Sequence, residues 1–141
     1  MRDEFNCLAL KRGISPAVVT NANTAFVSQI LDTQGLASAT FALLTGSLSD
    51  ANATFTVLAE EGDNSALSDN TAVADANLLG TELLATPLFT DDNKVFKLGF
   101  IDTKRYLRVT VTPAGNDAGD VYLAGLWITE PLIEPAPNPP V

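Results

Sequence analysis

The chain has 141 residues, 46% of them apolar and 18% charged, and a formal net charge of −9. These values describe a globular chain, far from weakly hydrophobic, highly charged disordered sequences; one domain of this size buries roughly 68–70% of the surface its unfolded form exposes. With no histidine and a single cysteine, Cys7, the chain has no Ser/His/Asp triad, no Cys/His nucleophile pair, no His-ligated metal and no intramolecular disulfide.

The N-terminus, Met1-Arg2-Asp3-Glu4-Phe5, places acids where a signal peptide has an apolar run, and no stretch approaches a membrane span, so neither Sec export nor a membrane partner is expected. Phe5 to Leu10 reads as a short strand closed by Lys11-Arg12-Gly13, with Cys7 as a small buried hydrophobe; Ala17 to Thr20 reads as a second strand after Pro16. Ala25 to Leu31 alternates and leads into the turn Asp32-Thr33-Gln34-Gly35, where Gly supplies positive φ. Ser38 to Thr45 is a strand with Ala39, Phe41 and Leu43 on one face, ended by Gly46. After the turn Asp50-Ala51-Asn52, Thr54 to Glu60 directs Phe55, Val57 and Ala59 inward.

From Glu60 to Asn77 the sequence is acidic, rich in small residues and without period, as a long loop is; Val73 to Leu79, stopped by Gly80, reads as one or two helical turns. Strand patterns return in Glu82 to Phe89, Lys94 to Ile101, Tyr106 to Thr112 and Val121 to Thr129, joined by Asp/Asn/Gly-rich connections. The clearest is Tyr106 to Thr112, where Leu107, Val109 and Val111 alternate with Tyr106, Arg108, Thr110 and Thr112. Pro131 to Val141 holds five of the eight prolines and reads as an extended tail outside the sheet. The expected fold is all-β, an antiparallel β-sandwich or jelly roll of about eight to nine strands with at most one short helix, formed by residues 1–130 and followed by the tail 131–141.

Charge is unevenly placed. No Lys or Arg occurs between Gly13 and Asn93, an interval with ten acids, whereas five of the eight basic residues fall between Lys94 and Arg108. An acidic body repels phosphates, so nucleic acid is not an expected partner unless Lys94, Lys97, Lys104, Arg105 and Arg108 form a patch of their own; the other reading is solvated strand edges and pairing with the acidic loop. The carboxylates match neither a calcium loop nor a glycosidase pair in spacing, and no cofactor is called for. Asn52-Ala53-Thr54 fits an N-glycosylation acceptor, a chance match without an export signal. Trp127, Tyr122 and Tyr106 are the aromatic residues able to stack on a sugar, but Trp127 falls in an alternating strand, where a buried or interface ring is the simpler expectation.

Three stretches resemble a group of small structural proteins of tailed bacteriophages: Ile30-Leu31-Asp32-Thr33-Gln34-Gly35 leading into Ser38 to Thr45; Leu78-Leu79-Gly80; and Gly99 to Arg108. In that group Gly commonly stands where this chain has Asp102. The resemblance implies a capsid decoration (cement) protein, not an enzyme. Such a protein is made in the host cytoplasm, sits on the virion exterior, binds the major capsid protein and associates as a homotrimer at threefold or quasi-threefold positions. Under it, the candidate contacts are the N-terminal segment 1–12 with Arg2, Phe5, Lys11 and Arg12; the basic cluster with Lys104, Arg105 and Arg108; Trp127; and the proline tail. Two other classes stay open: a glycan-binding or host-recognition module with an aromatic platform around Trp127, and a head-tail connector or tail component. Copy number on the particle separates them.

Overall fold

The structure is a computed structural model describing residues 3–133. It opens with a single-turn helix, α1 (Glu4–Cys7), where Phe5 to Leu10 reads as a strand. The helix forms because Asp3 caps it: the Asp3 carboxylate accepts the Asn6 N–H at 3.2 Å. Cys7, expected to be buried, is only half-buried. The strand begins later and runs further than expected. β1 (Ala9–Thr20) passes through Lys11-Arg12-Gly13 and Pro16 in one piece, with register shifts between Arg12 and Ile14 and between Ile14 and Ala17. Pro16 is tolerated because β1 is an edge strand.

The expected strand Ala25 to Leu31 is two pieces, β2 (Phe26–Val27) and β3 (Leu31–Asp32), because the Gln29 N–H turns away to the Gly13 carbonyl. Next come β4 (Leu36–Leu48), β5 (Thr54–Gly62) and β6 (Thr71–Ala72). β4 continues past Gly46. Val73 to Leu79 supplies only a 3-10 turn (Asp75–Asn77) before β7 (Leu78–Leu79). Glu82 to Phe89, expected as a strand, is a series of turns. The Ala85 N–H bonds back to Thr81 and Glu82, Pro87 has no donor, and both residues are buried. β8 (Val95–Phe100), β9 (Tyr106–Ala114) and β10 (Asp120–Pro131) complete the set. Pro131 is thus the last residue of a strand rather than the first of a tail, and the proline-rich segment from Glu134 on lies outside the described residues.

All pairings are antiparallel. One sheet has the order β1-β10-β4-β8-β7; the other has β2-β9-β5-β6, with β3 also on β9. The fold is therefore an antiparallel β-sandwich. The ten strands among the described residues exceed the expectation because two-residue pieces pair separately.

The alternation in β9 holds as read: Leu107, Val109 and Val111 are completely buried. They meet Phe55, Val57 and Ala59 of β5, and Phe41, Leu43 and Leu98 from the facing sheet, in one core. Trp127 stands in its middle, 1% exposed. Its ring packs edge-on to Phe41 with centroids 4.8 Å apart and lies 5.6 Å from Phe100. Its Nε1–H donates to the Gln29 carbonyl at 3.1 Å, so the buried donor is satisfied. Phe41 fits because glycine backbone lies against it. A Cβ built on Gly125 would stand 2.4 Å from Phe41 Cζ, and one on Gly13 2.6 Å from Cε2.

Gly125→Ala should therefore cost about 1–3 kcal/mol by overpacking, read as a lower urea midpoint at unchanged m-value. Asp102, where the resembling proteins commonly have Gly, adopts φ 49°, a left-handed backbone. Asp tolerates this region better than a β-branched residue does. Asp102→Gly should leave the midpoint unchanged or higher, and Asp102→Val should cost about 1–2 kcal/mol of stability, read as a lower midpoint.

Candidate interaction face

Alternation along a strand sends every second side chain of the first sheet outward. In most sandwiches that face is polar. Here β10 presents Tyr122, Ala124, Leu126 and Ile128; β1 presents Leu10, Arg12 and Val18; β4 presents Ala42 and Leu44; β8 presents Val95 and Lys97. Of the sixteen acids among residues 3–133, only Asp120 and Glu130 fall on the outward positions of β10, one at each end. An apolar face without acids in its middle thus lies on a chain of net charge −9.

The face is furrowed. Pro16, Val18, Leu44, Tyr122 and Ala124 line an open groove of about 380 Å³. It continues between Leu10, Arg12 and Leu126, with Pro16, Leu44 and Ala124 shared. Residues 80–93 leave β7 and return beside β4, where the Asn93 N–H donates to the Gly46 carbonyl at 3.0 Å; they carry Leu83, Leu84 and Leu88, which are 82%, 74% and 65% exposed.

The basic cluster is divided among acids. The Arg105 guanidinium holds Asp32 through two bonds of 2.9 and 2.7 Å and lies 5.0 Å from the centre of the Tyr106 ring. Arg108 pairs with Glu60 at 2.7 Å. The Lys104 N–H donates to Glu61 at 2.8 Å, and Lys94 pairs with Asp91 at 2.6 Å. Arg105, Arg108 and Lys94 are thus ion-paired within the chain, and of these Arg108 pairs with the acidic segment. Lys11 is brought near Asp32, whereas Arg12 stands beside the groove. Phe5 is 69% exposed on α1. Arg2 lies outside the described residues.

The three aromatics do not form a platform. Trp127 is a core ring, Tyr122 is on the outer face of the first sheet, and Tyr106 is in the second sheet. The face itself has a sequence signal in Val121 to Ile128, which is apolar at both inward and outward positions. Such a run marks a strand covered on both sides.

The three resembling stretches meet in space. Asp32 is clamped by Arg105; the Thr33 N–H and hydroxyl both donate to the Arg105 carbonyl; and Leu78 and Leu79 pair with Phe100 and Gly99.

No protein-family model matches the chain, and no curated protein matches it in sequence. Among solved structures, it is similar to the CBM22-1–GH10 modules of Clostridium thermocellum endo-1,4-beta-D-xylanase 10B complexed with xylohexaose (TM-score 0.44, 11% identity, 89% of this chain and 26% of that one). It is also similar to infectious bursal disease virus Gx strain (0.46, 12%, 87% and 32%), and to the xylan-binding module CBM15 (0.41, 14%, 92% and 94%). The chain thus spans about a quarter to a third of the two longer proteins. At TM-scores below 0.5, none of these likenesses bears on what the chain does.

Several carboxyls are held below the usual range. Asp32 is lowered chiefly by its bonds to Arg105, Asp50 by the N–H groups of Asn52, Ala118 and Asp117, and Asp69 by those of Asp63 and Asn64. A carboxyl depressed by folding contributes stability that is complete above its unfolded value, about 4, and is lost as pH falls through the lower folded value. The urea midpoint should therefore hold steady near neutrality and drop below about pH 4. Asp50→Ala should lower the neutral midpoint and flatten that acid drop.

Proposed function

We propose that this protein is a virion structural protein that decorates the outside of a capsid shell, binding the major capsid protein and stabilising the assembled lattice. The observation that carries this reading is the apolar outer face, free of acids between Asp120 and Glu130, on an otherwise acidic sandwich. Contiguous apolar surface of this kind marks a place where another protein sits. A ligand that binds only the assembled shell adds its binding free energy to the shell's stability by mass action. As a homotrimer, which the resemblance implies, it would gain avidity from several weak contacts.

A glycan-binding module is the second reading, and the exposed ring of Tyr122 over an open groove favours it. The walls weigh against it: Pro16, Val18, Leu44 and Ala124 offer few donors or acceptors for sugar hydroxyls.

Purified protein mixed with shells lacking it should co-sediment saturably, with many copies per particle. Binding as a single ring at one vertex would indicate a connector. Protein that stays in the supernatant but binds a polysaccharide would move the assignment to the glycan reading, and Tyr122→Ala should then abolish that binding.

A further inference from the structure

A second concavity lies beside the outer face rather than on it. Where β1 borders residues 29–32, the margin of the sandwich holds a cleft of about 500 Å³, lined by Leu10, Lys11, Arg12, Gln29, Ile30 and Asp32, with Trp127 behind them. Its walls are fixed to each other. The Gln29 N–H donates to the Gly13 carbonyl at 2.8 Å, and the Gln29 carbonyl accepts the Trp127 indole N–H at 3.1 Å. Neighbouring residues of a regular strand point to opposite faces, but β1 shifts register just after Arg12, and Lys11 and Arg12 both border the cleft.

The charge of the cleft is not balanced from within. Asp32 is the acid on its wall, and both carboxylate oxygens are already held by Arg105. Lys11 lies near Asp32, yet neither Lys11 nor Arg12 makes an ion pair with a described residue. Two cations are therefore left over on a chain of net charge −9. Beside them stand the exposed side chains of Leu10, Ile30 and Gln29. This set fits carboxylates that have apolar neighbours, as an acidic peptide has; a string of phosphates would leave Leu10 and Ile30 in water and meet an acidic body all round.

We propose that this cleft binds an acidic peptide segment of a partner protein, with carboxylates on Lys11 and Arg12 and apolar side chains against Leu10 and Ile30. This rests on reading the chain as a protein-binding module, and names the chemistry of the partner at the β1 margin. Leu10 and Arg12 also border the outer groove, so a partner seated on the outer face meets the cleft without a break in the contact. The apolar face then supplies area, and the charged cleft selects the partner and fixes its register.

Nuclear magnetic resonance reads the site directly. The chain has a single tryptophan, so one indole N–H signal reports on the Gln29 wall. Titration with the blocked peptide acetyl-Leu-Glu-Glu-Leu-amide should shift that signal and the Gly13 and Gln29 amides saturably, with a dissociation constant of about 1 mM that rises with salt. The variant Lys11→Gln/Arg12→Gln should weaken binding about tenfold, whereas Lys97→Gln should not, and an unchanged urea midpoint establishes that each folds. The same peptide with glutamine for glutamate should not bind. No saturable shift, equal binding of the glutamine peptide, a double variant that binds like the native chain, or the same shifts from acetate alone overturns the proposal. Shell pelleting keeps the two readings apart. Native protein that co-sediments with shells but ignores the peptide overturns the cleft alone, whereas protein that binds the peptide but stays in the supernatant overturns the decoration reading alone.

Discussion

The last strand of the chain occupies the middle of a sheet. β10 pairs along its length with β1 on one side and β4 on the other, so β1 belongs to the first sheet only when residues 120–131 have joined both residues 9–20 and 36–48. The same strand brings Trp127 between Phe41 and Phe100 and carries Gly125 past the Phe41 ring. Core packing, sheet order and the outer groove therefore depend on one pairing across most of the chain length. Closure of so long a loop precedes any reward from the contacts it makes, which is the condition for slow folding.

Electrostatics are sorted by the same topology. Arg105 lies 73 residues from Asp32 and Arg108 lies 48 from Glu60, yet strand pairing brings each cation to its acid. These pairs belong to the second sheet and to the turn entering β4. Arg12 and Lys97, by contrast, stand on the outer face of the first sheet, away from the acidic segment. The chain thus separates an internally paired surface from an apolar, weakly cationic one, and the second is where complementarity to another protein can operate.

Much of the architecture is legible in residue order. The alternation of Leu107, Val109 and Val111, and of Phe55, Val57 and Ala59, marks inward faces correctly because packing selects period two. The failures have one origin: side-chain pattern does not reveal whether a backbone finds a partner. Glu82 to Phe89 has strand-like residues but is held in turns by Ala85 and Pro87, and Phe5 to Cys7 is diverted into a helix by the Asp3 cap while Ala9 and Leu10 open β1. Trp127 falls inside, as its strand position suggests. The ion pairs of Arg105 and Arg108 were beyond local reading, because their partners are chosen by register. The outer groove was within reach, since Val121 to Ile128 is apolar on both faces of its strand.

The two register shifts and the proline in β1 have a consequence for life at high local concentration. β1 is the exposed margin of a five-stranded sheet, where an unbroken row of amides would template strand addition by a neighbour. Its irregularities at Gly13 and Pro16 deny an incoming strand a straight ladder, and Pro16 contributes no amide hydrogen. Along this margin a neighbouring copy is denied a straight ladder on which to extend the sheet, and contact there is left to side chains.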